Sequence, residues 1–257
     1  MEARKAGIAH GWMWLKQGYW LFKQNPFIWM VLTAILVVGM AGISMFPLVG
    51  GPLSTLLLPG FFAGLMLGCH ALAKEEKLEL MHLFAGFQKH GTPLIALGGI
   101  SLVGKLLIMG AVMLTGGAKL LEILTSGKQT EDPEAVLQAF TEAGFAFPMG
   151  VGLSILLQTC VQLAAMLVVF RAVAPLPAMV AVFRATLRNV LPLTVYGLIL
   201  LPFAALASVP MMLGWLVLLP IFITSQYAMY RDMFPMAGDI QEAPDGGASP
   251  GDTPPGA

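Results

Sequence analysis

The sequence predicts an all-α integral membrane protein in which six transmembrane helices form three hairpins, each preceded by a cytoplasmic interfacial amphipathic helix. Three observations lead there. Of 257 residues, 57% are apolar and 11% charged, against about half and about a quarter in an ordinary soluble domain; the mean hydropathy is +0.80. Uncharged runs of spanning length recur along the chain, and a hydrocarbon core about 30 Å thick needs about 20 such residues per helix. Finally, one unit occurs three times: an amphipathic segment, a polar break with proline, then two spans. With 14 basic against 14 acidic residues, no bulk charge exists to attract nucleic acid. Cys69 and Cys160 both lie in apolar runs, which excludes a disulfide framework and a CxxC metal or redox motif.

The elements follow in order. The opening segment places Ile8, Trp12, Leu15, Tyr19 and Phe22 at helical spacing, with Lys16, Gln17, Lys23 and Gln24 elsewhere, and Asn25-Pro26 ends it. Its polar residues leave no compact apolar stretch behind Arg4 and Lys5, so it is expected to be retained rather than cleaved as a signal. Trp12, Trp14, Tyr19, Trp20 and Trp29 are expected as an interfacial aromatic belt. The first span is Phe27 to Phe46 and the second Pro52 to Ala73, joined by a tight turn at Pro47, Gly50 and Gly51. Gly60, Gly64 and Gly68 are four apart in the second, a doubled GxxxG that lets another backbone approach. That packing is expected within the chain, although the same groove would serve a second copy or another membrane protein.

The second unit begins with Leu80, Leu83, Phe84 and Phe87 as its stripe, followed by Thr92-Pro93 and a third span to Thr115. An outward loop, Gly116 to Ala146, carries a short helix from Thr130 to Ala143 that starts at Asp132-Pro133-Glu134. The fourth span runs from Phe147 to Phe170. In the third unit Met179, Val180, Phe183 and Leu187 oppose Arg184 and Arg188, before spans Pro192 to Ser208 and Met211 to Tyr230. The membrane domain thus covers 1–236, and 237–257, rich in Gly, Pro, Ala and Asp, reads as a disordered cytoplasmic tail. Eleven of the fourteen basic residues fall on the side of the termini, only Lys119 and Lys128 on the other, and Lys105 within a span. The positive-inside rule therefore puts both termini in the cytoplasm.

The stretches Gly11-Trp12-Met13-Trp14-Leu15-Lys16-Gln17-Gly18, Leu83-Phe84-Ala85-Gly86-Phe87 and Gln226-Tyr227-Ala228-Met229-Tyr230-Arg231-Asp232-Met233-Phe234 resemble an uncharacterised proteobacterial six-span inner-membrane family. That family is similar in pattern to the membrane domain of some glycerophosphodiester phosphodiesterases. The resemblance implies topology and the bacterial inner membrane, and no activity, with no catalytic barrel expected beside this chain.

One residue stands out chemically. Lys105 lies about 18 Å along its helix from Pro93, at mid-bilayer and poorly placed to snorkel. An ionisable group there is a functional candidate by default. At matching depth the fourth span carries Ser154, Gln158 and Gln162 on one face, so Lys105 is expected to point inward and hydrogen-bond Gln158 or Gln162. The bland reading is a clamp between helices; the others are a substrate or ion pathway, or a misplaced span that leaves Lys105 at an interface. No acidic residue lies in any span, which argues against ordinary proton- or cation-coupled transport.

Other constellations are weak. Glu79 and His82 are a single Glu-x-x-His pair, with His10, His90 and Glu76 as the other ionisable groups considered, whereas a di-metal bundle needs two such pairs. Cys69-His70 reads as packing plus an interfacial imidazole; His10 with Met13, and Met233 with Met236, are isolated pairs rather than copper sites. No GxSxG, HExxH, P-loop or GxGxxG occurs. The expectation is a non-enzymatic membrane-organising or interaction protein with no cofactor or metal and with membrane lipids as partners. The competing reading is a transporter or channel using Lys105, Gln158 and Gln162. A lipid-acting enzyme built on Glu79, His82 and His90 is the third.

Overall fold

The computed structural model describes residues 4–125, 133–209 and 211–235. It is 85% helical, with no strand among the described residues. The expected tail, Met236, and the Thr130–Asp132 start of the outward helix lie outside the described residues. In chain order the helices are α1 (His10–Gln24), α2 (Pro26–Ser44), α3 (Gly50–Ala73), α4 (His82–Val112), α5 (Ala118–Thr125), α6 (Pro133–Ala143), α7 (Ala146–Arg171), α8 (Pro175–Arg188), α9 (Val190–Ser208) and α10 (Trp215–Met233).

Five helices are long and apolar enough to cross a membrane: Pro26–Ser44, Gly50–Ala73, the continuous His82–Ile123, Ala146–Arg171 and Val190–Ser208. The sixth expected span falls on α10, whose second half carries Thr224-Ser225-Gln226 and Arg231-Asp232 and so lacks the composition of the others. That half is covered by protein instead. Thr224 Oγ1 donates to the Gly18 carbonyl at 2.8 Å, and Gln226 Nε2 donates to Tyr196 Oη at 3.3 Å. The Tyr196 and Ser225 hydroxyls bond each other as well. These buried polar groups on α10 survive because each finds a partner.

The breaks are local chemistry. Pro26 opens α2 at its first turn, where its missing N–H costs nothing, and Asn25 leaves the helical region with φ −150°. Within α4, His90 has φ −142° and ψ 39°, three residues before Pro93, whose ring displaces the backbone of the preceding turn. The amphipathic segment His82–His90 is therefore the first limb of a kinked helix. Ala172 ends α7 in the left-handed region at φ 51°, and Val173 N bonds back to Leu167 O at 3.4 Å. Beyond α4, Met113–Gly117 is a π turn with Gly116 at φ 103°, so the third span winds on past Thr115 into α5.

In packing, α3, α7 and α10 touch one another at the centre, with α2, α4 and α9 outside them. Over the spanning windows 61% of α3 and 50% of α7 are buried, against 17% for both α2 and α9. Each amphipathic helix lies mainly on the inner helix that precedes it: the first limb of α4 on α3, α8 on α7, and α1 on α10. The turns at 74–81 and 172–174 thus fold the first limb of α4 and α8 back on their predecessors, while of the expected hairpins α4 and α7 pack most closely. For α1 that predecessor is the last helix, and the chain ends meet: Arg4 N donates to Met233 O at 3.0 Å.

Glycines make these approaches possible. A Cβ on Gly18 would lie 2.6 Å from Ser225 N, one on Gly64 2.4 Å from His82 O, and one on Gly86 2.3 Å from Gly60 O. The core concentrates toward the end carrying the termini: Leu65, Met66, Leu163, Met166, Tyr227 and Tyr230 are among the largest fully buried side chains. On the opposite side Leu53, Val151, Leu153 and Leu216 are exposed. There α5 and α6 form a small lobe closed by Leu120, Ala139 and Ala143, with Lys119 Nζ 3.1 Å from Glu142 Oε1.

Candidate functional site

Lys105 rises from α4 among exposed Val103, Leu106 and Leu107. Its ammonium turns back toward α3 and donates to Thr55 Oγ1 at 3.2 Å. The recess it enters lies between α3, α4 and α7 and is lined by Thr55, Ser101, Lys105, Gln158 and Gln162, with Pro59 and Phe62 among its apolar walls. Its free space is about 10 Å³, about the room of one water molecule. The helical period explains the set: Ser101 is one turn before Lys105, and Gln158 and Gln162 are one turn apart on α7.

The structure thus brings Lys105, Gln158 and Gln162 to one recess but gives Lys105 a partner that the sequence did not indicate. The ammonium's hydrogen bond is to Thr55, not to either glutamine. Depth alone singled out α7, whereas the α3–α4 packing at Gly98, whose Cβ would meet Leu56 O at 2.4 Å, brings Thr55 closer. Ser154 is exposed and is not among the lining residues. Ser101, which sequence reasoning missed, carried a usable signal in its four-residue spacing from Lys105. Gly60 and Gly64 face the first limb of α4, at Phe87 and at the His82 and Leu83 carbonyls, and Gly68 faces Leu78 in the segment before it.

A second polar cluster closes the termini end. One oxygen of Asp232, Oδ2, receives His10 Nδ1 at 2.6 Å and Trp14 Nε1 at 2.8 Å. Asn189 accepts from Ala6 N at 2.7 Å and donates to Arg4 O at 3.2 Å, and Arg171 donates to the carbonyls of Phe234 and Pro235 at 3.0 and 2.8 Å. His70 Nδ1 meets Tyr227 Oη at 2.8 Å beside the Phe170 ring. These contacts join the ends of α1, α3, α7, α8 and α10.

The remaining candidates are placed plainly. His82 Nδ1 accepts from Glu79 N–H at 3.0 Å, a turn-capping bond that explains their spacing. His10 pairs with Asp232 rather than with that pair. Among the described residues no three His, Cys, Asp or Glu groups gather as metal ligands. Of the expected aromatic belt, Trp12, Tyr19 and Trp20 are exposed, but Trp14 and Trp29 are core residues at 1% and 0% exposure. They belong to faces that α1 and α2 turn inward, which a tally of aromatics near a span end does not separate.

With helix and no strand among the described residues, and several helices of membrane length and composition, the chain belongs to the class of multi-pass transmembrane proteins. A Burkholderia thailandensis protein described as a "probable inner membrane protein" is 26% identical over 258 positions, covering 91% of this chain and 94% of the relative. The protein is accordingly assigned to the inner membrane. No protein-family model matches it, and neither does any solved structure.

Proposed function

We propose that this is a non-enzymatic, membrane-organising protein of the bacterial inner membrane, with α10 as a sixth crossing and both termini cytoplasmic. Its membrane domain is 1–236, and its three amphipathic helices lie in the cytoplasmic leaflet. One observation carries the reading: these helices are apolar on two faces. While Trp14, Leu83 and Val182 are buried against the bundle, Trp12 and Trp20 stand 53% and 62% exposed, Phe84 48% and Phe183 44%. Basic Lys16, Lys23, Lys89, Arg184 and Arg188 accompany the outward stripes. A helix apolar on both sides with basic flanks suits the acyl boundary under anionic headgroups. Shared topology with the membrane domain of some glycerophosphodiester phosphodiesterases belongs to this proposal; none of their chemistry does.

The test is depth. With Cys69 and Cys160 replaced by alanine, Phe84→Cys and Phe183→Cys carry a nitroxide in the vesicle-reconstituted protein. Both labels should be reached by dissolved oxygen and shielded from a water-soluble nickel complex. Labels open to the nickel complex would place the helices in water and overturn the reading. The transporter or channel alternative draws on the polar recess at Lys105, Gln158 and Gln162. Room for about one water supports a single buried occupant rather than a path.

A further inference from the structure

We propose that the recess between α3, α4 and α7 binds one small monovalent anion of chloride's size and charge, with the Lys105 ammonium as its principal ligand. A lysine at this depth is costly and is ordinarily paired. Among the described residues no carboxylate lies on α2, α3, α4, α7 or α9. Besides the ammonium, the polar lining consists of hydroxyls and amides, which can donate as well as accept. An ammonium carries three N–H groups and donates one to Thr55; the Thr55 hydroxyl, having accepted it, keeps its own proton for another acceptor. Ser101 adds a hydroxyl, and Gln158 and Gln162 each add an amide NH₂. An ammonium with no carboxylate to balance it, among groups able to turn a donor toward the same point, describes an anion site.

Size selects within the class. Free space of about 10 Å³ is on the scale of one water, which admits nothing larger than a bare halide and excludes phosphate, sulfate or a lipid headgroup. Pro59, Phe62 and Leu58 wall the inner side of the recess with apolar surface, and Lys105 stands exposed at its mouth. The inference stands apart from the membrane-organising reading: the amphipathic helices can fail their depth test without touching this site, and the reverse.

The experiment uses purified full-length protein in nanodiscs, with radioactive chloride binding and the thermal midpoint as readouts. Sodium chloride, bromide, gluconate and sulfate are compared at equal ionic strength. The wild type should bind one chloride per chain and melt higher in chloride or bromide than in gluconate or sulfate. Lys105→Met should lose about tenfold or more in affinity and melt at one temperature in all four salts. Gln158→Leu, which keeps the lysine, should weaken chloride severalfold and gives the answer if Lys105→Met does not fold. Absence of bound chloride in the wild type overturns the proposal. So does a chloride shift that Lys105→Met and Gln158→Leu both retain, because the ion would then sit elsewhere.

Discussion

At Asp232, a single carboxylate oxygen serves two donors from the opposite end of the chain, His10 and Trp14. Hydrogen bonds to a charged group contribute about 2 kcal/mol each, so Asp232→Ala, which removes two of them, should lower unfolding free energy by about 2 to 4 kcal/mol. A double-mutant cycle with His10→Ala, read by thermal or denaturant unfolding, should show non-additive losses; additive ones would mean that the pair is idle. Thr33 is the opposite case. Its hydroxyl is buried in α2 with no hydrogen-bond partner, and removing an unmet polar atom while keeping the shape stabilises by about 1 kcal/mol. Thr33→Val should therefore raise the thermal midpoint. At this scale the sequence was partly legible. Lys105 was conspicuous because a charge in an apolar run has no bland neighbours, and the α7 glutamines followed from depth. Thr55 was not, because nothing in a sequence tells which neighbouring helix approaches closest.

For elements, punctuation was the readable part. Asn25-Pro26, Thr92-Pro93 and the Asn189 to Pro192 stretch mark three breaks, and the structure bends or interrupts the helix at each. What the pattern hid was the second apolar face. In α8 the large side chains Val180, Phe183 and Leu187 look outward while Ala178, Val182 and Ala185 meet the bundle, so a stripe of small residues does the packing that bulk would have suggested for the other face. The α10 polar run was equally hidden, since a helix sheathed by α1 and α9 has no need of lipid-like composition. Close packing gives a direct test. Gly64→Ala or Gly18→Ala would drive a methyl into backbone at 2.4 and 2.6 Å, whereas Gly42 has nothing within 4 Å. The first two should lower the thermal midpoint and speed amide exchange in the amphipathic helix at each contact, the first limb of α4 and α1 respectively; Gly42→Ala should leave both unchanged.

For the whole molecule, three inner helices each carry an amphipathic helix, and the third pairing closes through the chain ends. A circular permutant tests that closure: residues 236–257 are joined to Met1 and a new start is opened at Lys77, between α3 and α4. It should insert and melt within a few degrees of the parent, because α10 and α1 are already neighbours; a collapse in stability would show that the ends need their freedom. The threefold repeat was legible because proline breaks and basic residues recur, but its phase was not, since a linear sequence has a first unit and a ring does not.

That closure also has a schedule. The His10–Asp232 contact spans 222 positions, and synthesis proceeds at about 5 to 20 residues per second. The first helix made consequently waits about 10 to 40 s for the last. Throughout that wait the face of α1 bearing Trp14, Leu15 and Phe22 lacks α10, its main partner, so nascent chains arrested before α10 emerges should be the form most dependent on an insertase or chaperone to shelter it.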